Sequence, residues 1–319
     1  MAAPDQTTSQ PLVASPTYCR IARLSAAGAV LIGITGLLGW ALRLPILSSI
    51  VPTYKPIAIS AAILCIALGV VQWYLCPLRH RVAGLILLAV TLFAFLFGTL
   101  EILFVLTGIN LTIEDALLRR VPAVFRDQRA HIAPVAGLLV WLVGLAQSLL
   151  LLRQLAHWPS RALAHGIGIL GSLIILISSV FFLGYLYGTP LASGPSSLPI
   201  AWPATIAMLC LGIGVIMTAG ERAFPLYGLA GQSMQARLFR AFLPLTVVIL
   251  LLSLVAMYLL EHAFDVHPAI LASILTTLST VAVGLVTLRV ARTTGQALEQ
   301  AEAARERLLA EVQRQAAEA

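Results

Sequence analysis

A carboxylate inside an apolar run is the most chemically loaded feature of this sequence. Glu101 falls near the end of the stretch 82–106, where an ionisable side chain is costly enough in lipid to mark a functional candidate. Its other possible role is hydrogen bonding to a neighbouring helix or reaching the outer interface. Two more apolar runs close in the same style, so that Leu38-Gly39-Trp40, Thr99-Leu100-Glu101 and Leu183-Gly184-Tyr185 are expected at one depth. Trp202 opens the run that follows Tyr185, across the uncharged segment 188–199. Trp40, Glu101, Tyr185 and Trp202 are therefore the candidate ligand-contacting residues, with an interfacial aromatic belt as the alternative for the rings.

Other chemistries are poorly served. The segment Glu261-His262-Ala263-Phe264-Asp265-Val266-His267 offers imidazole and carboxylate groups of the kind that hold a divalent ion, and His131 could join them. The spacing matches no closed zinc pattern, so His262, Asp265 and His267 are expected in a hydrated connector, and no metal or other cofactor is expected. No apolar run carries a mid-depth histidine suited to haem. The polar segments hold no nucleophile beside a base, no glycine-rich phosphate loop and no carboxylate pair, and the chain is expected not to be an enzyme.

The elements that must position these residues follow from composition. Of the 319 residues 60% are hydrophobic and 10% charged, far from the soluble average of about 25% charged. Eight stretches have membrane length: 24–42, 56–76, 82–106, 132–152, 163–187, 200–219, 238–260 and 268–288. Segments this long are helices, because lipid requires each backbone amide to be satisfied within its own span. The first is too long and too poorly flanked for a cleaved signal peptide. With the N-terminus inside, eleven Lys and Arg fall on the inner side against six outside, which places both termini in the cytoplasm. The outer six include four in the loop 107–131, whose amphipathic part, 111–125, is expected to lie on the outer surface.

The net charge of +7 sits at helix ends, which suits topology and lipid headgroups rather than nucleic acid. Cys65, Cys76 and Cys210 lie in or at the ends of spans and Cys19 in the N-terminal segment, and no disulfide or zinc framework is expected. Gln72 and Gln147 are expected to hydrogen-bond between helices. The even-numbered runs open alike, at Lys55-Pro56-Ile57, Ala133-Pro134-Val135 and Trp202-Pro203-Ala204, with glycine further on at Gly69, Gly144 and Gly212 with Gly214. Proline suits a first turn. Three copies of one helical hairpin are implied, with the last two spans as a divergent fourth pair.

These stretches, 54–69, 133–144, 184–188 and 198–212, resemble the multi-pass N-terminal membrane region of bacterial sensor histidine kinases and diguanylate cyclases, a MASE-like region. Ala236 to Pro244, reading ARLFRAFLP, resembles the arginine-rich entry to that family's seventh span, and the final tail resembles its signalling helix. The resemblance implies an all-α polytopic protein of the bacterial inner membrane, acting in signal transduction of the two-component type. Relatives carry a PAS, kinase or cyclase domain after the tail; none follows here, so a cytoplasmic output partner is expected.

In the tail, Leu298, Ala301, Leu308 and Val312 form a thin coiled-coil stripe, interrupted by Arg305 and Gln315, through which a homodimer could form. Arg289, Arg292 and Gly295 lie where the last span gives way to that rod, and with Leu298, Leu308 and Val312 they are the candidate transmission residues. The expected organisation is a cytoplasmic segment 1–23, an eight-helix membrane domain 24–290, and a cytoplasmic signalling helix 291–319. The expected function is a signal-input module that detects a small apolar or weakly polar ligand, or the bilayer state. A small-molecule transporter is the alternative, since repeated hairpins also build permeases.

Overall fold

A computed structural model of the chain describes residues 16–51, 54–76, 81–107, 132–156, 160–186, 200–221 and 223–227, with residues 248 and 252. Every regular element among them is helical. In chain order these are α1 (Pro16–Leu42), α2 (Pro45–Ser49), α3 (Ile59–Tyr74), α4 (Arg81–Thr107), α5 (Pro134–Leu155), α6 (Arg161–Leu186) and α7 (Trp202–Ala219). Five of them, α1 and α4 to α7, are long and apolar enough to cross a membrane, and α3 is an apolar helix of 16 residues. The first six expected spans are thus helices, and the chain is a multi-pass membrane protein. Span seven apart from residues 248 and 252, span eight and the tail, with His262, Asp265, His267, Arg289, Arg292, Gly295, Leu298, Leu308 and Val312, lie outside the described residues, as do 111–125 and His131.

The chain divides into two compact units, Met1–Ala230 and Gly231–Ala319. In the first unit α3, α5 and α7 touch one another at the centre, and α1, α4 and α6 form an outer layer. Each outer helix packs on the inner helix that follows it and on one other: α1 on α3 and α7, α4 on α5 and α3, α6 on α7 and α5. Burial follows this order, since α5 and α7 are mostly buried whereas α1 and α6 show most of their surface. Leu31, Leu96 and Leu176 are among the large apolar side chains turned outward. Such faces are suited to lipid tails.

Glycine fixes the spacing within each hairpin. A Cβ at Gly69, Gly144 or Gly212 would meet the carbonyl oxygen of Ala26, Thr91 or Gly171 at 3.0–3.3 Å. Without side chains at these points the two backbones approach closely, and dispersion contacts replace the hydrophobic force that lipid cannot supply. The connection after α1 uses a different device. Arg43, at φ 56°, reverses the chain while Leu44 N–H bonds to Gly39 O at 2.9 Å, a Schellman closure with arginine in the position usually given to glycine.

A pair of glycines separates close packing from mere helix propensity. Gly144→Val should destabilise the protein by about 1–3 kcal/mol, because its Cβ would lie 2.7 Å from Phe95 N and backbone cannot move aside cheaply. At Gly166, where a Cβ meets open space, Ala should be neutral or stabilise by up to about 1 kcal/mol. Thermal unfolding of the detergent-solubilised protein distinguishes the two. Equal effects at both positions would remove the close-packing account.

Candidate functional site

The inner helices begin with the same five-residue pattern. It reads Ile57-Ala58-x-x-Ala61 at α3, Ile132-Ala133-x-x-Ala136 at α5 and Ile200-Ala201-x-x-Ala204 at α7. Ala58, Ala133 and Ala201 are the N-caps, all extended, and none has a side-chain cap. Gly69, Gly144 and Gly212 each lie eleven residues after their N-cap, so the register is common to all three repeats. Proline is not what sets it. Pro134 and Pro203 are in the first turns of α5 and α7, but Pro56 stands two residues ahead of the α3 N-cap, which corrects the expectation that proline opens each inner helix.

These three beginnings meet around one small cavity. Lys55, Pro56 and the Ile-Ala-x-x-Ala residues of α3 and α5 line it, with Ala201 and Ala204 of α7. There is room for about one water molecule. Alanine at N-cap and at the third helical position makes the mouth possible, since larger side chains would fill it. Below it the core closes: Cys65, Val140 and Met208 are fully buried, and so are Leu68, Val143 and Leu211.

Aromatic residues tie the mouth together. Trp40 Nε1–H donates to Ile57 O at 2.7 Å, and Tyr185 O–H donates to Ile200 O. Thus the last turn of α1 holds the lead-in to α3, and the last turn of α6 holds the lead-in to α7. The rings of Tyr185 and Trp202 stack at 5.9 Å, with Tyr54 edge-on to both at 5.0 and 6.0 Å. The Trp202 Nε1–H is buried without a partner among the described residues.

Glu101 belongs to the middle repeat but lies deeper than expected. The contacts of the shared glycines make Ala26, Thr91 and Gly171 equivalent. Fourteen residues on stand Trp40, Val105 and Tyr185, and ten residues on stand Gly36, Glu101 and Phe181. Glu101 is therefore one helical turn below Trp40 and Tyr185 rather than level with them. It is 4% exposed and packs on Gly137 in the first turn of α5, where a Cβ would lie 2.8 Å from its own Cβ. A carboxylate beside a helix N-terminus is favourably placed.

Away from the mouth, Gln147 Nε2–H donates to Gln72 Oε1 and Leu68 O, both at 3.1 Å, and Gln72 Nε2–H donates to Thr218 Oγ1 at 2.6 Å. The two glutamines do bond between helices, as expected, and they join α3, α5 and α7. At the far end Gln154 donates to Leu75 O, Arg153 to Ala219 O and Arg23 to Cys76 O. Cys19 and Cys76 are joined as a disulfide across 57 residues of sequence, which corrects the expectation of none. The α1–α3 hairpin brings the start of one helix to the end of the other, a proximity that sequence spacing does not reveal. Cys65 and Cys210 are free thiols.

Tyr54 and the alanine pairs were not singled out in the sequence and Lys55 was read only as part of a helix opening, although the triple recurrence of Ile-Ala-x-x-Ala was there to be found. Three helix N-termini and Lys55 suit an electron-rich group on a small molecule. No cluster of three metal-ligating side chains occurs among the described residues. No family model, curated protein or solved structure matches the chain.

The two tethering bonds predict matching losses. Trp40→Phe and Tyr185→Phe should each destabilise by about 1–3 kcal/mol, because each strands a carbonyl acceptor in a buried lead-in. Tyr227→Phe, at an exposed ring, should change little. Thermal unfolding in detergent measures all three.

Proposed function

We propose that this chain is a membrane-embedded signal-input module, with the mouth of the three inner helices as its receiving site. The observation that carries the reading is a cavity that opens where all three repeats begin and ends on two fully buried layers. A conduit needs a continuation through those layers, whereas a receptor needs a site whose occupancy changes how the repeats pack. Since the mouth holds about one water, the small, weakly polar ligand enters it with a single electron-rich atom directed at the helix N-termini, and Lys55 contributes to its recognition.

The resemblance to sensor regions extends the proposal to the rest of the chain. Occupancy biases the packing of the bundle, span eight carries the bias, and the paired cytoplasmic helix 296–319 delivers it to an output partner. The same resemblance supports a bacterial inner-membrane location, and charge bias supports both termini in the cytoplasm.

Reconstitution into proteoliposomes tests this directly. A panel of small carboxylates, carbonyl compounds and alcohols is screened for a change in cross-linking between copies carrying Ala301→Cys. At least one compound should shift the cross-linking yield several-fold, Ala136→Leu should abolish that shift by filling the mouth, and no panel member should be carried across the bilayer. Flux that persists after deletion of 296–319 would refute the sensor and establish the permease alternative.

A further inference from the structure

We propose that Cys19 and Cys76 form a thiol–disulfide exchange site, in which Cys19 is the attacking thiol and Cys76 the resolving one, and that the bond reversibly latches α1 to α3. The Cα atoms are 5.5 Å apart, inside the range a disulfide spans without backbone movement. Cys19 is partly exposed in the first turn of α1, with Arg20 beside it and Arg23 one turn on. Cys76 is 4% exposed and follows the C-terminal end of α3. The pair is thus asymmetric in access, as an attacking and a resolving thiol should be.

The compartment gives the bond its meaning. Cys19 and Cys76 share the end of the bundle that holds Arg20, Arg23, Arg153 and Arg161, the side that charge bias assigns to the cytoplasm. Standing disulfides are rare there, and those found are mostly transient or redox-sensing. The oxidant is a low-molecular-weight disulfide. The Cys19 thiolate attacks it, forming a mixed disulfide and releasing one thiolate; the Cys76 thiolate then attacks the Cys19 sulfur and releases the second, so two protein thiols are oxidised while one disulfide is reduced to two thiols. Reduction runs the same steps backwards. Reduction does not free the helix altogether, because Arg23 still bonds to Cys76 O and lies 6.0 Å from the centroid of the Trp73 ring.

The experiment uses the full chain in inside-out and right-side-out membrane vesicles, exposed to reduced and oxidised glutathione in varied ratio and then trapped with maleimide. In inside-out vesicles the Cys19–Cys76 bond should open and close with the ratio. Cys76→Ser should accumulate glutathione on Cys19, and Cys19→Ser should accumulate several-fold less on Cys76. A variant with Cys65→Ser and Cys210→Ser should behave as the parent, with peptide mass spectrometry assigning each bond. Three results would overturn the proposal: a bond that persists in millimolar reduced glutathione, reaction confined to right-side-out vesicles, or a Cys76→Ser protein that gains no glutathione.

Discussion

Three helices running the same way through one low-dielectric core place like poles together. The start of α3, α5 and α7 gathers three positive ends, and their finish gathers negative ones, each worth roughly half a charge. The finishing end is answered by this chain's own side chains. Arg153 donates to the carbonyl of Ala219, the last residue of α7, Arg23 to that of Cys76 just beyond α3, and the Gln154 amide to that of Leu75. The starting end is treated differently, with alanine N-caps, no side-chain cap on any of the three, and Lys55 in the lining. Glu101, one turn down in the middle repeat, is the buried acid at that end. This asymmetry is the reason the mouth, rather than the opposite end, is proposed as the receiving side.

The same parallel arrangement dictates the outer layer. Parallel neighbours cannot be joined by short loops, so each inner helix needs an antiparallel return, and α1, α4 and α6 supply it. Each return helix also covers a seam between two inner helices, which leaves the glutamines and the buried threonines and serines away from lipid. The outer helices in turn hold the inner ones at their lead-ins through Trp40 and Tyr185.

Much of this was legible in the sequence, and the misses have physical causes. Apolar length and the lipid's demand on backbone amides gave the helices, and the recurrence of hairpins was visible as a repeat. Proline misled about register because it signals a chain entering a helix without specifying at which residue; Pro56, Pro134 and Pro203 occupy three different offsets from their N-caps. Alanine and glycine set the register, yet they are so common in apolar segments that their spacing carries little weight until contacts are seen. Glu101 was misplaced by one turn because the end of α4 was matched to the ends of α1 and α6 by residue type. Gln72 and Gln147 were read correctly, since a buried amide in lipid has few alternatives. The Cys19–Cys76 bond was invisible because it depends on hairpin closure.

The glutamine pair also sets a clock. Gln72 and Gln147 are 75 residues apart, in different hairpins, and both are fully buried in the finished bundle. Synthesis at about 5–20 residues per second means that α3 waits roughly 4–15 seconds before α5 has been made, with its amide lacking the partner it will eventually have. The first hairpin is thus complete in its glycine contacts but unfinished in its polar ones when it leaves the ribosome.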